Sequence, residues 1–152
     1  MTTKYLASVL ALMGAQVHAC GELTVSDAWA RLAPPAAPVM AAYASLGNSS
    51  EQSVLLQSAS SKDFERVELH SMSMENGVMQ MRKLDLIEVK VDQTVKLAPG
   101  GLHLMLIGPK RSFVAGDKID ITLRLCEEKE QVVSFPVREQ QVSGDEHAGH
   151  AH

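Results

Sequence analysis

The sequence predicts an all-β protein, a sandwich of short strands. Three observations predict it. Short apolar runs rich in β-branched residues recur from Leu23 to Val137. Gly, Pro, Asn and Ser clusters separate them. No segment sustains a 3.6-residue apolar period, which an amphipathic helix requires. At 152 residues, 45% hydrophobic and 21% charged, the chain fits one globular domain. A formal charge of −4 argues against nucleic acid, which needs a basic face.

The strands follow in order. Leu23–Trp29 alternates loosely, and the proline loop Ala33–Pro38 ends it. Met40–Leu46 is short and apolar, and Gly47–Ser50 supplies a turn. Ser53–Ser58, Phe64–Met74, Val78–Leu84 and Ile87–Val91 come next. Val95–Leu97, Leu102–Ile107, Lys118–Cys126 and Gln131–Val137 complete the set. Together they read as an all-β sandwich, with no internal repeat.

Residues 1–19 have the order of an export signal. Lys4 is the positive start, Leu6–Ala15 a short apolar run, and Val17-His18-Ala19 a cleavage site. The run is too short to span a bilayer, which takes about 20 apolar residues. Export to a bacterial periplasm is the expectation. The folded domain is then 20–142, and 143–152 (SGDEHAGHAH) is a flexible tail with no large apolar residue to anchor it. Three fates are open to Cys20 and Cys126. A disulfide between them is permitted outside the cytoplasm. Two free thiols rank next, and lipid attachment at Cys20 ranks last, because His18 stands where a lipoprotein signal expects a small residue. There is no Cys-x-x-Cys, so a dithiol redox enzyme is not expected.

The segment His70–Met81 (HSMSMENGVMQM) holds four of the eight methionines. Asn76-Gly77 is a hairpin signal, because a type I′ turn needs positive φ at both central residues. With that dipeptide at the tip, Glu75 pairs with Val78, Met74 with Met79, Met72 with Met81, and His70 with Lys83. Alternation then places His70, Met72, Met74, Met79 and Met81 on one face. Val67, Leu69 and Val78 take the other, the expected core side. In Leu102–Ile107 (LHLMLI), leucines occupy one face and His103 and Met105 the other.

Thioether sulfur is soft and uncharged and selects Cu(I), and imidazole also suits copper. Zinc favours thiolate, imidazole or carboxylate, and calcium and magnesium favour oxygen. No cysteine lies in either segment, so a blue-copper electron-transfer centre, which requires a thiolate, is not expected. A lone Met is ordinarily core filler. Two histidines and two methionines on non-core faces are hard to assign to packing. Met72, Met74 and Met79 stay closer to the packing role, with contact to the metal or a polarizable rim for a partner as the alternatives.

The spacing of His70, Met81, His103 and Met105, with ten, twenty-one and one intervening residues, resembles the copper-binding pattern of the PCuAC family of periplasmic copper chaperones. Glu68-Leu69-His70, Val78–Arg82, Pro99–Leu106, Trp29-Ala30-Arg31 and Ala41-Ala42-Tyr43 extend the likeness over Leu23–Val137. The resemblance implies a cupredoxin-like Greek-key β-sandwich that binds one Cu(I) through His70, Met81, His103 and Met105. It implies a metallochaperone and no enzyme, supplying the CuA centre of cytochrome c oxidase. The implied partners are the oxidase subunit carrying CuA and thioredoxin-like Sco proteins. A monomer is expected. A periplasmic copper storage or resistance protein would use the same ligands. Some family members carry C-terminal extensions that bind a second copper, so His147, His150 and His152 are candidates for Cu(II).

Overall fold

The computed structural model describes residues 20–139. Its ten strands lie where the sequence places them, with ends shifted by a few residues. They are β1 (Thr24–Arg31), β2 (Val39–Asn48), β3 (Val54–Ser60), β4 (Phe64–Glu75) and β5 (Val78–Leu84). Then come β6 (Ile87–Val89), β7 (Gln93–Leu97), β8 (His103–Pro109), β9 (Lys118–Leu125) and β10 (Glu130–Arg138). A single 3-10 turn, Cys126–Glu128, joins β9 to β10. Among the described residues no helix is long and apolar enough to cross a membrane.

The strands form one continuous sheet, where the sequence suggested two stacked layers. Its order is β5-β4-β8-β2-β1-β10-β9-β3-β6, and a further pairing of β3 with β4, at Ala59 and Val67, closes a barrel-like ring. Closure removes most free edges, which would otherwise invite pairing with other chains. The β1–β10 pair is parallel, with Ala30 opposite Val137. Inside the ring sit Leu46, Leu56, Phe64, Leu69, Leu104, Leu106, Ile121, Leu123 and Phe135, all buried. Each such side chain contributes roughly 1.5–3 kcal/mol on burial.

Two local irregularities shape the outer surface. Strand β1 carries an extra residue between Ser26 and Trp29, with Asp27 at φ 52°. This bulge explains the loose alternation of the first run. Beyond it, Ala30 is in the core opposite Ala42, while Trp29 and Arg31 share the outer face with their partners Tyr43 and Ala41. Strand β2 has its other edge served by two strands in turn, β8 along Val39–Ala42 and β7 along Ala44–Asn48. The gap between β7 and β8 is a turn over Ala98–Gly101. Gly101 N–H donates to the Ala98 carbonyl at 3.0 Å, Pro99 holds the second position, and Gly100 has φ +82°. That φ suits glycine at the third position of such a turn.

Buried Asn48 ends β2 with its side chain fully paired. Its amide donates to the Gln52 and Val89 carbonyls at 2.8 and 3.0 Å, and its oxygen accepts from Ser50. Cys20 and Cys126 form a disulfide 106 residues apart in sequence, with Cα atoms 5.6 Å apart. It fastens the start of the domain to the end of β9.

Candidate metal centre

The β4–β5 hairpin has the register that its turn dictates. Asn76 and Gly77 have φ 53° and 79°. Met74 is opposite Met79, Met72 opposite Met81, and His70 opposite Lys83. Strand β8 lies on the other side of β4, with Leu69 opposite Leu104, Glu68 opposite Met105 and His70 opposite His103. Leu69 and Leu104 point into the core. The outer face therefore carries Met81 from β5, Glu68, His70 and Met72 from β4, and His103 and Met105 from β8. All four predicted site residues lie on that face. The register carries the same face onward to Ala41 and Tyr43 of β2 and to Trp29 and Arg31 of β1. There the Trp29 and Tyr43 rings are 4.8 Å apart, and the Arg31 guanidinium stands 5.4 Å from the Tyr43 ring.

The two imidazoles are direct cross-strand neighbours with ring centroids 5.7 Å apart. Both residues are buried, at 9% and 5% exposure, although they stand outside the apolar core. Met105 is half-buried, and Met81 is 45% exposed. Burial falls away toward the hairpin, so the site is open on the β5 side.

Each histidine has one ring nitrogen tied to the protein. His70 Nε2 lies 2.9 Å from Glu68 Oε2, and His103 Nδ1 lies 3.0 Å from the Gly101 carbonyl oxygen. Carboxylate and carbonyl oxygens only accept here, so those nitrogens carry the hydrogens. The other nitrogens, His70 Nδ1 and His103 Nε2, are then lone-pair donors. His70 Nδ1 is buried and has no hydrogen-bond partner. A buried polar atom without a partner is costly; a metal ion would supply the missing contact. Ligating histidines commonly hold their second nitrogen in this way.

Glu68 holds the His70 ring, a contact that the sequence does not announce although Glu68 stands in the Glu-Leu-His run. Its place two residues before His70, on the same strand face, was the available signal. It also meets Arg66 Nε at 3.1 Å and Lys83 Nζ at 3.3 Å. The hydrogen bond from His70 does most to bring its carboxyl pKa down to about 2, and Lys83 and Arg66 add to this against partial desolvation. Glu68 thus stays an anion that fixes the His70 ring. Glu68→Ala is expected to weaken metal affinity about 10–100-fold, the usual cost of removing such an orienting partner. Glu68→Gln should recover part of the loss, because its amide oxygen still accepts. Chelator competition with each variant measures both effects.

The Gly101 carbonyl was equally invisible in the sequence. It accepts from His103 and also from the Met72 backbone N–H at 3.1 Å. The Pro99-Gly100 turn therefore docks on β4 and orients His103 in one step.

One expectation needs correction. Val78 was assigned to the core side with Val67 and Leu69, yet it is 56% exposed. Strand β8 pairs with β4 only as far as His70, so the hairpin tip projects past the sheet and its inner face covers nothing. His147, His150 and His152 lie outside the described residues, as does the export segment 1–19.

Among the described residues, no three of His, Cys, Asp and Glu gather into a metal-holding group. A centre built on the histidine pair must draw further donors from other residue types. Its face offers the sulfurs of Met81 and Met105.

Comparison with known proteins gives a family for the chain and neighbours for its fold. The family model described as "Putative lipoprotein LpqE-like" matches residues 23–137. "Putative lipoprotein Lxx21020" of Leifsonia xyli subsp. xyli is 29% identical over 148 residues, spanning 90% of this chain and 88% of that protein. The Cu(I) form of DR1885 from Deinococcus radiodurans superposes with a TM-score of 0.62 at 26% identity, covering 77% of this chain and 80% of that one. The copper-bound PCuAC domain from PmoF2 gives a TM-score of 0.67 at 22% identity, covering 80% and 97%.

Proposed function

The chain belongs to the LpqE-like family, and from that premise we propose that it is a copper carrier holding one Cu(I) as cargo. Its structural neighbours are PCuAC domains. The donors would be His70 Nδ1, His103 Nε2 and the sulfurs of Met81 and Met105. The observation that carries this reading is the pair of facing imidazoles, each tied through one nitrogen, with a buried and unpartnered nitrogen on His70.

The chemistry suits transport. Two thioethers favour the cuprous ion and add no charge. They are weaker ligands than thiolates, so a partner bearing cysteines can take the ion by ligand exchange. Exposed Met81 is the natural ligand to leave first. We assign the delivery target as the CuA centre of cytochrome c oxidase, reached through the subunit carrying it or through a thioredoxin-like Sco protein. On this reading residues 1–19 direct export to the periplasm, 20–142 form a monomeric cupredoxin-like Greek-key domain, and His147, His150 and His152 hold a second copper as Cu(II). No catalytic step is assigned.

Cu(I) titration against a competing chelator tests the proposal. The wild-type protein should hold one equivalent tightly, with or without residues 143–152, and Met81→Ala should hold it less tightly. Failure of the wild-type protein to compete with the chelator would refute the carrier role. Storage is separated from delivery by oxidase assembly in a deletion strain. Loss of CuA is expected for a carrier, and normal assembly would indicate storage.

A further inference from the structure

The hairpin tip presents an arrangement that the site above does not use. Met74 and Met79 are direct cross-strand partners, and Met72 lies next to them on the same face, opposite Met81. Met74 is 63% exposed and Met79 50% exposed, while Met72 is half-buried. No core lies against this end, because β8 stops pairing at His70. The other face of the tip is polar apart from exposed Val78, which lies opposite Glu75. There Arg82 meets both Glu75 oxygens at 2.9 and 3.0 Å, and Ser73 donates to Glu75 at 3.5 Å. Here every position on one face, from Met72 to Met81 around the turn, is a thioether.

We propose that Met72, Met74 and Met79 form a second, weaker Cu(I) site, from which the ion passes by way of Met81 to the histidine pair. Directly opposed Cβ atoms are about 5 Å apart, with diagonal neighbours at about 7–8 Å. Methionine has three rotatable bonds in its side chain, enough for three sulfurs to converge on one ion. The Asn76-Gly77 turn fixes the register and so holds the array together. Neither a carboxylate nor an imidazole shares the tip on this face, so the site suits a soft monovalent ion and not zinc or calcium. It is weaker than the inner site because it is exposed and lacks nitrogen donors.

Transfer is ligand exchange at constant charge. The Cu–S bond to Met74 breaks as one to Met81 forms, the bonds to Met79 and Met72 break as His70 Nδ1 and His103 Nε2 bind, and Met105 sulfur completes the inner set. Copper stays Cu(I), and neither proton nor electron moves. The tip site stands on its own geometry; only the direction of travel rests on the carrier reading.

The test uses the full chain with His147, His150 and His152 changed to alanine, titrated anaerobically with Cu(I) against a weak and a strong chelator. Two equivalents are expected, one of which the strong chelator removes. Met74→Leu/Met79→Leu should bind one equivalent, with the tighter affinity unchanged. His70→Ala/His103→Ala should keep the weaker equivalent, which separates failure of the inner site from failure of the tip. In the parent chain, the methyl NMR signals of Met74 and Met79 should shift with the weaker equivalent. Methyl signals that do not move, a His70→Ala/His103→Ala variant that binds no copper, or a leucine variant that still binds two equivalents would each overturn the proposal.

Discussion

His103→Ala is expected to weaken Cu(I) binding by well over 100-fold. Loss of a partner that merely orients a ligating histidine costs about 10–100-fold, and His103 is assigned as a ligand itself. The substitution removes one of two nitrogens and leaves His70 facing sulfur donors only. It also frees the Gly101 carbonyl, which now orients the ring. The fold should persist, since His103 lies outside the apolar cluster and its strand keeps its pairings with β2 and β4. Chelator competition gives the affinity, and circular dichroism checks the fold. A folded His103→Ala protein with wild-type affinity would remove His103 from the centre.

Replacing both Cys20 and Cys126 with alanine is expected to destabilise the domain by about 2–5 kcal/mol, the usual cost of losing a native disulfide. The cross-link closes a loop spanning 106 residues, and in the chain-entropy account long loops restrict the unfolded state most. For a domain of this size the melting temperature should fall by about 10 °C or more. The double variant avoids a free thiol, which would compete for copper. Thermal unfolding with and without reductant measures the effect. Reductant should lower the wild-type midpoint to that of the variant and leave the variant unchanged. Equal midpoints throughout would mean that the cross-link adds no stability.

The parts of this molecule that the sequence announces are its local ones. Ten strands follow from short β-branched runs between turn residues, and Asn76-Gly77 sets the pairing of Met72 with Met81 without any distant contact. The Met and His faces follow from strict alternation along a strand. Pairings between segments far apart in sequence were not legible. Nothing local aligns His70 with His103, runs β1 parallel to β10, or joins β3 to β4. Packing decides those contacts, through the register in which Leu69 meets Leu104 and Val67 meets Leu106. The same limit hid Glu68 and the Gly101 carbonyl, whose roles exist only once β4, β8 and the Ala98–Gly101 turn lie side by side. Val78 was misplaced for a related reason. Alternation gives the face of a residue but does not say whether anything lies beneath it.

Beyond its own carbon, a cysteine sulfur has one covalent bond to give. In this fold Cys20 gives it to Cys126, so the same atom has no valence left for a glyceryl tether. Oxidation and acylation at Cys20 are therefore mutually exclusive outcomes for each molecule. A form with lipid on the Cys20 sulfur would carry a bare thiol at the far end of β9.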